Sequence, residues 1–288
     1  MAAARRRAGV LLFERVAGAD GQANRERIHL TPGPRWFEPD SPIAVVHSDA
    51  SMFVGGLRAL LLQSLHPAAM AAVAGHSGYR SDPWGRLART STFLAFTTFG
   101  MADDAAAAVA RVRGIHERVR GTTAEGIRYH AADPELLTWV HVAEVDSFLA
   151  AHRRYGASPL TPDDADRYVA QVARVGRELG AADVPETAAD LRARLVGFRP
   201  HLRATTPAVE TAAFVLREPP LPLALRPVYL GLAAAAVQLL PAWARAELGL
   251  FTGTGPAAAA ARAGGAAVTH LIRWAMAADP PPRRDDPA

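Results

Sequence analysis

A chain of 288 residues, half of them apolar, can bury one large core or two small ones. All 32 basic residues are arginine and cysteine is absent, which excludes Schiff-base and P-loop lysines, disulfides, iron–sulfur clusters, thiolate-bound metals and cysteine nucleophiles. The formal charge of +4 is small for this length, and the arginine clusters Arg5 to Arg7 and Arg283 to Arg284 sit at the termini, so no nucleic-acid partner is expected.

Frequent alanine and scarce period-two alternation predict an all-α fold, a single globular helical bundle. The start, MAAARRRAGVLLFERVAG, mimics a signal peptide, but its apolar core is interrupted by Glu14 and Arg15; the expectation is a cytoplasmic protein. Residues 1–41 are predicted to be an arm with one helical stretch at Gly9 to Val16. Residues 42–278 are predicted to form the helical body, and 279–288 a disordered tail. The run SPIAVVHS, residues 41–48, is the one short strand-like segment. A helix from about Gly56 should kink at Pro67, which leaves His66 at the kink.

Asp82-Pro83 then opens a helix that Gly100 stops, and a third helix should run from Asp103 or Asp104 to Gly121. Asp133-Pro134-Glu135 and Thr161-Pro162 start the next two, the first ending at Gly156. Further helices are expected over about 185–202, 207–216, 225–239 and 256–277. The apolar run VYLGLAAAAVQLLPAW is broken by Pro241, short of the ~20 residues a membrane crossing needs. It reads as a buried helix with a surface that could touch a membrane peripherally.

Histidines carry the most chemical information. Val109, Val112, His116 and Val119 share one helical stripe, and so do Leu137, His141, Val145 and Phe148, so both imidazoles should point inward. Such rings either hydrogen-bond within a core or hold a metal or cofactor. On the helix after Asp82, Arg86, Thr90, Phe93 and Thr97 share a face with Arg89 beside it, which suits either a partly exposed surface or a cofactor wall. GHSGY fails the serine-hydrolase elbow because Tyr79 replaces its last glycine, and HExxH, G-x-G-x-x-G and Walker patterns are missing.

The ordered runs GGLRALLLQSLHPAAMAAVAGHSGYRSDPWGRLARTSTFLAFTTFG, IHERVRG and DPELLTWVHVAEVDSFLAAHRRYG, with the later PPLPLALRPVYLGLAAAAVQLLPAWARAELGL, resemble the DUF2236 family, the MpaB and rubber-oxygenase catalytic domains. The likeness spans roughly residues 45–252. It implies a globin-like helical bundle around a haem b, with dioxygen as co-substrate and a hydrophobic, unsaturated or prenyl-like small molecule as substrate, oxidised at a C=C bond. By position, the family's proximal histidine falls on His116, which becomes the expected iron ligand, and its distal Arg-x-x-Lys-Thr motif on Arg86, Arg89 and Thr90. These three are the expected catalytic residues, with His66, His76 and His141 as further candidates for haem contacts or core hydrogen bonds. Where the family has lysine, Arg89 stays protonated and cannot ligate iron, so the sixth position should be open or water-filled. A haem-binding sensor or carrier, and a haem-free helical scaffold, are the alternatives.

Overall fold

The computed structural model describes residues 2–76, 78, 80–250 and 254–282. Among them are fourteen α-helices and one two-stranded sheet. The helices are α1 (Ala2–Ala17), α2 (Gly21–Leu30), α3 (Pro42–Ser48), α4 (Met52–Gln63), α5 (Pro67–His76), α6 (Pro83–Phe99) and α7 (Ala102–His116), followed by α8 (Pro134–Tyr155), α9 (Pro162–Leu179), α10 (Ala188–Phe198), α11 (Thr206–Arg217), α12 (Arg226–Leu239), α13 (Ala242–Glu247) and α14 (Pro256–Met276). The strands β1 (Arg120–Thr122) and β2 (Arg128–His130) pair antiparallel with Gly121 opposite Tyr129. The all-α expectation holds.

Helix starts follow from local chemistry. Asp82 accepts from the Gly85 N–H at 2.9 Å, and Asp133 from the N–H groups of Glu135 and Leu136, in each case ahead of a proline whose missing donor costs nothing there. Thr161 and Asp164 form a reciprocal capping box around Pro162.

Three sequence expectations need correction. The run 41–48 is the helix α3, not a strand: Ser41 and Pro42 occupy its first turn, and burial of Pro42, Ile43, Ala44 and Val46 on successive faces removes any period-two pattern. The chain from Gly56 to His76 is two helices, because Ser64, Leu65 and His66 separate α4 from α5 and Pro67 starts the second one. The third helix ends at His116, five residues before Gly121, where a hairpin begins.

The core is built on α8, whose Trp139, Val142, Ala143 and Val145 have no exposed surface. It packs against α4 on one side and α9 on the other. Tyr168, Val169, Val172 and Ala173 form the inner face of α9. A second apolar cluster joins Val54 of α4, Ala151 of α8, Ala235 and Ala236 of α12, and Val268 of α14.

The approach of α4 to α8 depends on Gly55, where a Cβ would sit 2.8 Å from Phe148 Cδ1 and 3.2 Å from its Cα. Gly55→Val should therefore force the two helices apart and cost about 1–3 kcal/mol, measured as a lower urea midpoint at unchanged slope. An unchanged midpoint would mean that the contact relaxes freely.

The N-terminal residues form α1 and α2, which lie against α6 and α14 while burying little beyond Gly9, Gly21 and Ile28. Arg25, itself mostly buried, pairs with Asp279 at 2.6 Å. The remainder of the expected tail, 283–288, lies outside the described residues. No single described helix is long and apolar enough to cross a membrane. The pair α3 and α4 passes by composition but bends by 91°, and most of its apolar side chains are buried in the core.

Candidate functional site

His116 is the last residue of α7. Arg27 of α2 grips Asp104 at the other end with two hydrogen bonds of 3.0 and 2.6 Å. Along the stripe, Val109 is buried, whereas Val112, His116 and Val119 are half-buried. The imidazole Nδ1 is buried and has no hydrogen-bond partner. Burial, then the neighbouring His130, holds the His116 pKa below 6.5. A helix C-terminus favours imidazolium, so here desolvation outweighs the helix dipole and leaves a neutral ring with a free lone pair. His130 is engaged elsewhere, donating from Nε2 to the Glu117 carbonyl at 3.2 Å.

Three other rings share this condition, among them His152 of α8, whose two ring nitrogens are both buried and unpartnered and whose pKa burial lowers. His66 lies in the break between α4 and α5, tilted against Trp139 with centroids 6.3 Å apart. Its Nδ1 is buried without a partner, and burial, helped by His201 and Arg203 against Asp133, lowers its pKa to about 4. His141 faces α9, where a Cβ on Gly176 would sit 2.8 Å from its Nδ1. Its Nε2 is buried and unpartnered, and burial, then Arg177, lowers the pKa to about 4. His76 is exposed at the end of α5.

The α6 residues are more open. Arg89 is 63 % exposed and pairs with Asp82 at 3.2 Å, while the exposed Thr90 hydroxyl donates to the Arg86 carbonyl at 3.1 Å. Arg86 is half-buried. Among the described residues, no hydrogen bond or ion pair joins Arg89 or Thr90 to His116, His66 or His141. No cluster of three or more metal-ligating side chains occurs among them either.

A family model described as "ER-bound oxygenase mpaB/B'/Rubber oxygenase, catalytic domain" matches residues 44–274. The chain belongs to this oxygenase family. No curated protein and no solved structure matches it. The match runs from α3 to the last turns of α14, so it contains every histidine and α6 residue described above and leaves out α1 and α2.

Within the oxygenase domain lies a polar group that residue patterns did not single out. His47 of α3 bonds Thr98 Oγ1 through Nδ1 at 2.8 Å and meets the Tyr168 hydroxyl at Nε2, 3.4 Å away, with its ring edge-on to Phe148. Glu144, one turn beyond His141 on α8, lies deep beside Tyr168 yet keeps accessible surface, and burial pushes its carboxyl up to about 7. The signal was present in the sequence, since Glu144 falls on the stripe of Leu137, His141 and Phe148.

These shifts fix the pH dependence of stability. Burial, aided at His29 by Arg25 and Arg35, holds His29, His47, His66 and His141 at about 4, 3, 4 and 4, below 6.5. Their contribution is therefore complete above pH 6.5 and lost as the pH falls towards those values. Glu144 acts oppositely: its folded value of about 7 exceeds 4.5, so its contribution is present below 4.5 and lost as the pH rises through 7. Between about pH 5 and 6 the unfolded chain therefore binds more protons than the folded one at these histidines and fewer at Glu144, so unfolding free energy should rise with pH across that window. Glu144→Gln should steepen this rise by up to about 1.4 kcal/mol per pH unit in urea titrations, and an unchanged slope would mean that Glu144 ionises normally.

Proposed function

We propose that this oxygenase domain works with a haem b held by His116 and that it oxidises a hydrophobic, unsaturated or prenyl-like substrate with dioxygen. The observation that carries the haem assignment is the neutral, half-buried imidazole of His116, with a ring nitrogen that no protein group uses. A porphyrin supplies four of the iron's ligands itself, so one imidazole suffices and no cluster of side chains is needed. The residues present fit the group.

Haem, when bound, supplies a redox-active iron that can engage dioxygen. The chain's part is to hold it and shape its surroundings. His116 presents an uncharged lone pair, and its low pKa keeps that lone pair free at neutral pH. Arg86, Arg89 and Thr90 give α6 a row of donors for negative charge developing next to it, and Arg89 would exchange its exposed partner Asp82 for that charge. Phe93, Leu94 and Phe96, half-buried on the following turns of the same helix, supply an apolar continuation for a hydrocarbon chain. Cleavage of a C=C bond by one dioxygen gives two carbonyl groups and balances without an external reductant.

The test is a haemin titration of the purified protein, followed by incubation with a prenyl alkene under oxygen. A saturable Soret band at one haem per chain, with carbonyl products that need oxygen, is the expected result. A saturable band without products would favour a haem sensor or carrier, and no band at all would remove the haem reading.

A further inference from the structure

Between α11 and α12 the chain reads Arg217-Glu218-Pro219-Pro220-Leu221-Pro222-Leu223-Ala224-Leu225-Arg226-Pro227. Leu223 is 75 % exposed, Leu225 49 %, and Leu230, one turn into α12, 53 %. Isolated exposed leucines are ordinary on protein surfaces, but three within eight residues concentrate apolar area on one short stretch of chain.

The segment is pinned. Pro219 is buried and Leu221 half-buried, so the base of the loop is anchored in the body. Trp84 Nε1 donates to the Pro220 carbonyl at 3.2 Å, the Leu221 N–H to the Pro219 carbonyl at 2.7 Å, and the Leu225 N–H to the Pro222 carbonyl at 2.9 Å. The Tyr229 hydroxyl closes the base by donating to the Val215 carbonyl. Prolines at 219, 220, 222 and 227 fix φ along the run. The apolar tip is thus held outward before anything binds it, which lowers the entropy cost of insertion.

Charge points to the occupant. Arg217 and Arg226 are exposed on either side of the leucines and neither forms an ion pair among the described residues, with Glu218 the one acid in the run. Hydrocarbon side chains flanked by free guanidinium groups match the layering of an acyl boundary beneath anionic headgroups. A second protein fits less well, because three partly exposed leucines on a protruding turn fall short of the roughly 800 Å² per partner of a stable interface.

We propose that residues 217–230 dock the protein on an anionic lipid surface, with Leu223 and Leu225 entering the acyl boundary and Arg217 and Arg226 binding the headgroups. The contact belongs to the loop ahead of α12; the helix itself turns Leu232, Ala233, Ala235 and Ala236 into the core. Because the loop is clamped to Trp84 at the start of α6, docking would bring that end of the helix towards the lipid.

Flotation of the whole chain with phosphatidylcholine vesicles, with and without phosphatidylglycerol, tests this. Binding to the anionic vesicles should exceed binding to the zwitterionic ones and weaken with added salt. The Leu223→Ser/Leu225→Ser double variant touches no core residue and should lose at least about tenfold in partitioning at unchanged circular dichroism. Arg217→Gln/Arg226→Gln should abolish the preference for anionic lipid. The proposal is overturned if the parent protein does not float or if the double-serine variant floats equally well. It is also overturned if the parent is a dimer that the serine substitutions dissociate, since the leucines would then be a subunit interface.

Discussion

Alanine at position 116 is expected to abolish saturable haem binding while leaving the protein folded. The imidazole makes no hydrogen bond through Nδ1, so its removal breaks no internal bond and takes away a desolvated polar group. Alanine also favours the last turn of α7 at least as well as histidine. The folded state should therefore lose little, and the parent's circular dichroism and urea midpoint should persist within about 1 kcal/mol. Haem affinity should fall by more than about 100-fold, because loss of an outer-shell partner of a metal ligand alone costs 10–100-fold. Added imidazole should restore a Soret band in the variant by filling the vacated space, which a purely structural histidine would not allow. His66→Ala and His141→Ala are the comparisons, since each also removes a neutral ring with an unpartnered nitrogen. If one of them loses haem and His116→Ala keeps it, the ligand is that residue.

The helices that the sequence displays best are those with a cap and a proline together. Asp82-Pro83, Asp133-Pro134 and Thr161-Pro162 mark the starts of α6, α8 and α9 to the residue, because side-chain acceptors and a pre-set φ act locally. Elements stabilised by their surroundings were less visible. The helix α2 buries only Gly21 and Ile28, so GQANRERIHL has no stripe to read, and α3 is too short and too evenly buried to show its period. The helix α7 ends before Gly121 because that glycine, which resembles a helix stop, pairs with Tyr129 in the hairpin.

The candidate site divides in the same way. His141 and His116 are each half-buried with a buried, unpartnered ring nitrogen, and periodicity points both inward, because a stripe reports direction. It does not report distance, so the ion pair of the exposed Arg89 with Asp82 could not be foreseen. Nor does it report depth: Glu144 lies on the same stripe as His141, yet only the packing of α8 and α9 reveals a carboxyl buried enough to hold its proton near neutral pH.

Arg58→Met should be among the most destabilising single substitutions in the domain, costing about 3–5 kcal/mol. Arg58 stands on α4 with 3 % of its surface exposed, and its guanidinium ties three helices together. Nε donates to the Leu239 carbonyl at the end of α12 at 2.9 Å, Nη1 to Ser147 Oγ at 2.6 Å, and Nη2 to Asp146 Oδ2 at 2.6 Å, the last two on α8. Methionine fills similar volume but supplies no donor. It would leave the Asp146 carboxylate, 17 % exposed, without its counter-charge and the Leu239 carbonyl without a donor. Against a total stability of about 5–15 kcal/mol that loss is a large fraction, and it should appear as a lower urea midpoint. Lysine would keep the charge but lose the fork that reaches three acceptors, so Arg58→Lys should fall between parent and methionine. Arg58→Met/Asp146→Leu should recover most of the loss, because the expense lies in the orphaned charge more than in the missing pair. A double variant no more stable than Arg58→Met would shift the weight to the Leu239 and Ser147 contacts. A methionine variant with the parent's midpoint would show that the network contributes no stability.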